Sequence, residues 1–159
     1  MALVNDKNES IEDIIRREGV YASVTSGVSM RPLFRTHRDM VILEIPNKRP
    51  EKYDVVLYKV GEKYLLHRIV GVDEKRETFI IRGDNTYRRE QMPFSSIIAV
   101  LTSFNRKGKS YSVSDRSYRI YSVIWTAIYP IRYIFGKGRL FLGGVYRALF
   151  GKNKKSKRG

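Results

Sequence analysis

Three residues in this sequence could form a hydrolytic site, although each also has an ordinary structural explanation. Ser29 is the second serine of the string Ser-Gly-Val-Ser-Met-Arg-Pro, where a predicted strand gives way to a tight turn at Gly27. A turn of this kind can present a serine hydroxyl close to backbone N–H groups, which could hold an oxyanion. The hydroxyl would need a neighbouring base, because serine alone is a poor nucleophile.

His67 is the candidate base. It lies in the string Leu-Leu-His-Arg-Ile-Val, which is typical of a strand, so that Leu65, His67 and Ile69 would share one face. An imidazole with an ordinary pKa of about 6.5 suits general-base work. A histidine among aliphatic residues is more often a hydrogen-bonded structural residue. Lys59 and Lys63 flank the same region, which leaves a Ser–Lys dyad as an alternative.

Asp84 follows a predicted strand in the string Ile-Ile-Arg-Gly-Asp-Asn-Thr. On local grounds it could bond its own backbone in an Asx turn. In a functional interpretation it orients a histidine or pins the loop that carries the site. His37 lies in a charged loop, and we expect it to be exposed and structural. With two histidines and no cysteine in the chain, we expect no metal site and no cofactor.

The elements that must position these residues are mostly strands, because β-branched and aromatic residues recur in short runs separated by polar turns. Turns this short leave no room for crossover helices, so we expect a mainly antiparallel sheet, either coiled or closed into a small barrel. The predicted strands are Val20–Thr25, Met40–Ile45, Asp54–Val60, Tyr64–Val72, Thr78–Arg82 and Ile97–Phe104.

The sequence divides into four predicted segments. A short helix should begin after Ser10, a favoured N-cap residue, and end at Gly19. Pro130 should bend or end a later helix. The segments are an N-terminal helix at 1–19, a β domain at 20–114, an amphipathic helical segment at 115–151 and a disordered basic tail at 152–159.

Three strings taken together are more specific than any one of them. In order and approximate spacing, Ser-Met-x-Pro, His-Arg-Ile-Val and Gly-Asp-Asn resemble the conserved boxes of the signal peptidase I family of serine peptidases. The wider superfamily includes the self-cleaving LexA-type repressors. The similarity covers residues 20–101, in which Met40–Leu43 and Tyr53–Val56 also look like that family's strand boxes. The resemblance implies a mainly β, signal peptidase/LexA-like sheet with a short N-terminal helix and a C-terminal amphipathic helical tail.

The resemblance also implies roles for individual residues. Ser29 occupies the place of the nucleophile. His67 stands where bacterial members carry a lysine base, and a histidine there is the pattern of the archaeal and endoplasmic-reticulum branch, which uses an acidic partner. Asp84 matches the Gly-Asp box, and Glu90 stands where that branch has a further aspartate. Either Asp84 or Glu90 could therefore orient His67.

The oxyanion hole implied by the resemblance uses the backbone amide of Ser29. Many members of the family add a serine hydroxyl two residues earlier, but this chain has Gly27 at that position. Ser26, one residue further back, is the remaining candidate for a side-chain donor.

The implied function is a serine endopeptidase that cleaves a leader or precursor peptide through a Ser29 acyl-enzyme, with His67 as general base. The polypeptide substrate would bind extended, as an added strand. The alternative is a non-catalytic or regulatory relative that binds peptide or nucleic acid through the sheet edge and the basic tail. We do not expect nucleic acid as the partner, because no helix-turn-helix fits before the Ser29 region.

The C-terminal part of the sequence is strongly basic. The net charge is +15, and residues 116–159 contain eleven Lys or Arg and no acidic residue. Apolar residues recur there at helical spacing, which fits either a core helix packed on the sheet or an interfacial helix at a membrane. We expect peripheral membrane association through residues 118–158 at an anionic surface, with the side of the membrane open and the cytoplasmic side preferred. The apolar positions are Ile120, Val123, Ile124, Ala127, Ile128 and Ile131.

Overall fold

A computed structural model describes residues 9–135 together with the backbone of residues 2–3. The tail predicted at 152–159, and the part of the predicted amphipathic segment from 136 to 151, lie outside the described residues. The chain divides into two units, 1–126 and 127–159, and each is considered by itself.

The first helix is α1 (Ile11–Glu18), and its ends follow from its capping residues. The Ser10 hydroxyl oxygen accepts a hydrogen bond of 3.1 Å from the backbone N–H of Asp13. At the other end, Gly19 has a φ of 75° and its N–H donates to the Ile15 carbonyl at 2.8 Å. Ile11 and Ile15 are both buried against the sheet. The predicted helix and both of its caps are confirmed.

All strand pairs are antiparallel, and the prediction of a mainly β fold is confirmed. The strands are β1 (Ala2–Leu3), β2 (Val20–Ser26), β3 (Met40–Glu44), β4 (Val55–Val60), β5 (Lys63–Asp73), β6 (Thr78–Arg82), β7 (Glu90–Pro93), β8 (Ile97–Arg106) and β9 (Lys109–Ser112). The sheet order is β1-β2-β3-β8-β4-β5-β6-β7, with β9 paired to β8 and an additional pairing between β1 and β5.

Residues 105–114 are polar, which is typical of a connector, but they contain the end of β8 and the whole of β9. Lys107 and Gly108 have φ values of 53° and 77°, which is the geometry of a tight hairpin turn between two paired strands. Arg106 therefore pairs with Lys109, and β9 lies along β8. Strand β7 is short and polar, and pairing with β6 rather than its own residue pattern makes it a strand.

Strand β4 separates two hydrophobic clusters, because alternate side chains of a strand point to opposite faces. Val55 and Leu57 belong to the larger cluster, which includes Met30 and packs against α1. Val56 and Tyr58 belong to the smaller one. The remaining buried members of the smaller cluster are Ile69, Phe79 and Ile81.

The second helix is α2 (Arg116–Ala127). Its aliphatic residues would be expected to face the sheet, but the opposite side of the helix packs there. Tyr118 and Ser122 are buried, whereas Ile120, Val123 and Ile124 are 45–53% exposed. The helix does contribute to the core through Tyr118, as the alternative of a core helix packed on the sheet requires, but its aliphatic residues face outward. The physical reason is that the helix packs over buried charged side chains, which need polar partners.

A turn at residue 128 ends α2, and residues 129–135 are helical again, as expected for a helix that Pro130 interrupts. Within the described residues, the structure contains no helix that is both long enough and apolar enough to cross a membrane.

Candidate active site

Ser29 lies in the loop that follows β2, and its hydroxyl faces His67. The Ser29 Oγ atom is 3.0 Å from Nε2 of His67. Gly27 reverses the chain just before it with a φ of 89°, a conformation that residues with a Cβ rarely adopt. Immediately after Ser29, Met30 is completely buried in the larger cluster. The position of the Ser29 hydroxyl is therefore fixed by the turn at Gly27 on one side and by the buried Met30 on the other.

A second loop holds the Ser29 loop in place through backbone contacts. The N–H of Asn85 donates to the Ser29 carbonyl at 2.7 Å, and the Asn85 side-chain amide donates to the Val28 carbonyl at 3.3 Å. Gly83 lies so close that a Cβ atom there would be 2.7 Å from the Ser29 carbonyl oxygen. The Gly-Asp-Asn string thus pins the loop that carries the serine.

His67 is buried on β5, with 7% of its surface exposed. Its Nε2 atom faces Ser29 Oγ, and its Nδ1 atom is 2.8 Å from the hydroxyl of Tyr58. Burial lowers the pKa of His67 to about 3, because the charged imidazolium loses its hydration. The ring is therefore neutral at pH 7, which is the state in which a histidine can accept a proton.

Tyr58 connects His67 to a carboxylate. The Tyr58 hydroxyl donates to Oε2 of Glu90 at 2.6 Å. A phenol has a single proton, and while the Tyr58 O–H donates that proton to Glu90, its oxygen can only accept from His67. His67 then carries its proton on Nδ1, and the bare Nε2 atom can accept the Ser29 proton. Burial, followed by the hydrogen bond to Glu90, raises the pKa of Tyr58, which keeps the phenol protonated.

Asp84 has different partners from those expected of an acid that orients His67. Its two carboxylate oxygens accept hydrogen bonds of 2.8 and 2.9 Å from Arg68, and the Tyr121 hydroxyl donates to the second of them at 3.0 Å. Both charged side chains are almost completely buried. Of the two acids that could orient His67, Glu90 is the one that the described hydrogen bonds connect to its Nδ1 atom, through Tyr58. The charge of Asp84 acts on His67 as well, in the direction that raises its pKa.

Helix α2 completes the surroundings of this buried ion pair. The Ser122 hydroxyl accepts from Arg68 at 2.8 Å, and the Trp125 indole N–H donates to the Asp84 backbone carbonyl at 3.0 Å. Burial alone would lower the pKa of Arg68, but the Asp84 carboxylate more than offsets that effect and raises it. The helix therefore fixes the loop that contains Asp84 and Asn85, and this loop holds Ser29 through the backbone hydrogen bond of Asn85.

The other predicted residues lie at the margins of the site. Ser26 is the last residue of β2, and its backbone pairs with Ala2 of β1. His37 is exposed, as expected, and its N–H donates to the Thr25 carbonyl at 2.8 Å. Lys59 has its ammonium group over the Tyr64 ring, 5.2 Å from the ring centroid, whereas His67 lies within hydrogen-bond distance of Ser29.

Tyr58 is the site residue that the sequence interpretation missed, although a signal for it was present. The turn between β4 and β5 pairs Val60 with Lys63, which sets Tyr58 opposite Leu65. His67 is two residues further along the same strand, so it is a diagonal neighbour of Tyr58 on the same face. Counting this hairpin register would have placed the phenol beside the imidazole.

No family model matches this chain, and a search of curated proteins finds no match either. Within the described residues, no group of three or more histidine and acidic side chains is arranged to hold a metal ion.

Proposed function

We propose that this protein is a serine endopeptidase of the signal peptidase type that processes a leader or precursor peptide, with Ser29 as nucleophile and His67 as general base. The observation that carries the proposal is the hydrogen-bond distance of 3.0 Å between Ser29 Oγ and His67 Nε2. Acyl transfer to a serine requires at least a base that takes the hydroxyl proton, and a neutral, correctly oriented imidazole can do this.

The proposed reaction has two stages. His67 Nε2 takes the proton of Ser29 while Oγ attacks the scissile carbonyl carbon, which forms a tetrahedral oxyanion. His67 returns this proton to the leaving amine as the peptide C–N bond breaks, and Ser29 is left as an acyl ester. Water then loses a proton to His67, attacks the ester and releases the acid, so that Ser29 regains its proton.

The Tyr58–Glu90 pair serves this reaction by fixing the ring of His67. When Nε2 becomes protonated, the imidazolium donates from both nitrogens, and the Tyr58 oxygen accepts from Nδ1 while its own O–H still donates to Glu90. The carboxylate can stabilise the positive charge through one intervening phenol. We assign the acidic role of the site to Glu90, acting through Tyr58, and the structural role to Asp84.

The oxyanion would be held by the backbone amide of Ser29, as the family resemblance implies. The Ser26 hydroxyl remains a candidate for a second donor. Removal of one such donor typically costs on the order of 10²–10³ in rate.

The strands that flank Ser29 and His67 support an extended peptide as substrate. Ser26 of β2 and Leu65 of β5 both pair with Ala2, so residues 2–3 of the chain itself occupy the place between these strands, and a substrate strand there would displace them. Main-chain pairing of this kind gives an added strand its affinity, and pockets for alternate side chains give the specificity.

An acylating fluorophosphonate probe tests the proposal directly on the full chain. We expect one adduct, on Ser29, that is absent in Ser29→Ala and strongly slowed in His67→Ala. The other histidine of the chain gives a matched control, because His37→Ala alters an exposed side chain and should label at the wild-type rate. Unchanged labelling of Ser29→Ala would overturn the assignment, and a wild-type protein that never labels would favour a peptide- or nucleic-acid-binding role.

A further inference from the structure

Helix α2 has two faces of opposite character. One face holds the buried ion pair beside the site through Tyr121 and Ser122. The other face carries Ile120, Val123 and Ile124, which are 48%, 45% and 53% exposed. Residues three and four positions apart lie on the same side of a helix, so these three side chains form one continuous aliphatic surface.

This aliphatic face is unusual because the most hydrophobic residues of the helix are exposed to solvent. Single exposed aliphatic residues are normal on soluble proteins, but a contiguous group marks a place where something binds. The helical segment 129–135, considered by itself, also exposes Ile131, Ile134 and Phe135, by 57%, 68% and 74%.

The charged residues of α2 itself are both cations, while Glu51 and Asp54 line the cavity next to Val123. Arg116 and Arg119 of the same helix are exposed. The sequence from 116 to 159 contains eleven Lys or Arg and no Asp or Glu. Aliphatic side chains flanked by cations suit an anionic lipid surface, because the apolar groups enter the interface while the cations meet the headgroups. Pairing with a second copy would instead bring like charges together.

We propose that the Ile120–Val123–Ile124 face of α2 is a docking surface for an anionic lipid bilayer. Docking through this face leaves the opposite face packed, because Tyr121 and Trp125 keep their hydrogen bonds to Asp84. The helix that lies on the lipid is then the helix that clamps the loop beside Ser29. The surface itself does not depend on whether Ser29 is a nucleophile.

Co-sedimentation of the full chain with vesicles tests this surface. The vesicles are phosphatidylcholine, alone or with about 30% phosphatidylglycerol, and we expect binding chiefly to the anionic ones. Val123→Glu combined with Ile124→Glu should weaken that binding by at least about tenfold, because it places two carboxylates in the interface. Val60→Glu is the matched control, since Val60 is 49% exposed at the end of β4, and should bind like the wild type.

Two results would overturn the proposal. If the double variant binds anionic vesicles as tightly as the wild type, the basic residues bind lipid without this face. If the wild type is a dimer by light scattering and the double variant a monomer, the face is an interface between copies. Circular dichroism checks that the double variant is folded, and Ile124→Ser, with an expected loss in the same direction, replaces it if it is not.

Discussion

The phenol oxygen of Tyr58 lies 2.8 Å from Nδ1 of His67, in the smaller of the two buried clusters. The same oxygen donates its only proton to Glu90 at 2.6 Å. Because the phenol has no second proton to donate, it must accept a hydrogen bond from the ring nitrogen that faces it, which is Nδ1. Glu90, which is linked to the imidazole through Tyr58, therefore places the ring proton on Nδ1. The Nε2 atom, which faces Ser29, is then free to accept a proton.

The first prediction concerns the tautomer of His67. In the wild type we expect the proton on Nδ1, which ¹⁵N NMR of the histidine ring reads directly. Glu90→Gln removes an obligatory acceptor, so the Tyr58 proton can turn toward His67 and shift the ring proton to Nε2. Probe labelling of Ser29 should then fall on the order of 10²-fold, the usual contribution of a general base. Tyr58→Phe should act in the same direction.

The tautomer measurement does not depend on activity, so it separates this prediction from the proposed function. Glu74→Gln removes a carboxylate from an exposed ion pair with Arg49 and should leave both the ring spectrum and labelling unchanged. A Glu90→Gln protein that keeps the Nδ1–H tautomer and the wild-type labelling rate would contradict the assignment of Glu90.

Much of the β domain could be predicted because local rules and tertiary structure agree there. The caps of α1 at Ser10 and Gly19 and the bounds of β6 follow from residue type and alternation. Alternation along β5 also places His67 and Arg68 on opposite faces, as the structure has them. Alternation does not predict the partner of a buried charge. Arg68 binds the carboxylate of Asp84, which is sixteen residues away in the sequence.

The orientation of α2 was not predictable from its own pattern. Helical periodicity identifies two faces, but it does not say which one meets the sheet. The usual preference would bury the aliphatic side, and the aromatic residues Tyr121 and Trp125 would be assigned to a membrane interface. In this protein Arg68 of β5 and Asp84 of the loop after β6 face the helix, so the polar and aromatic side of the helix packs inward.

The second prediction concerns pH and stability. The folded pKa of His67 lies near 3, below its ordinary value near 6.5, because the ring is buried. Between these values the unfolded chain binds a proton that the folded chain does not, so His67 makes stability fall as pH decreases through this window. The expected contribution is about 1.4 kcal/mol per pH unit, and it vanishes above the unfolded pKa.

His67→Gln isolates this contribution, because acidic groups such as Asp39 titrate alike in both proteins and cancel in the difference. Urea unfolding at several pH values should give a shallower acid loss for His67→Gln than for the wild type. Parallel curves would mean that the folded ring titrates near its ordinary pKa.

The third prediction concerns the buried ion pair. Arg68 is fully buried, and Asp84→Asn would remove the only carboxylate on its guanidinium within the described contacts. Leaving one buried charge unpaired typically costs about 3–5 kcal/mol, and urea unfolding measures the loss. Glu74→Gln breaks an exposed ion pair of the same chemical type, and we expect little change from it. Equal effects of the two substitutions would show that Arg68 finds another partner or water.

The last prediction concerns the contact between Gly83 and Ser29. A Cβ atom at position 83 would lie 2.7 Å from the Ser29 carbonyl oxygen, so Gly83→Ala must push the two loops apart and misplace the hydroxyl. Misplacement of a reacting group by about 1 Å can cost on the order of 10²-fold in rate, and we expect a loss of that size in probe labelling. Gly61→Ala is the comparison, because Gly61 has a φ of 56° but nothing within 4 Å of its added methyl group. It should strain its turn and lower stability slightly while labelling stays at the wild-type rate. Wild-type labelling of Gly83→Ala would mean that the Ser29 loop is not positioned by the loop that contains Asp84.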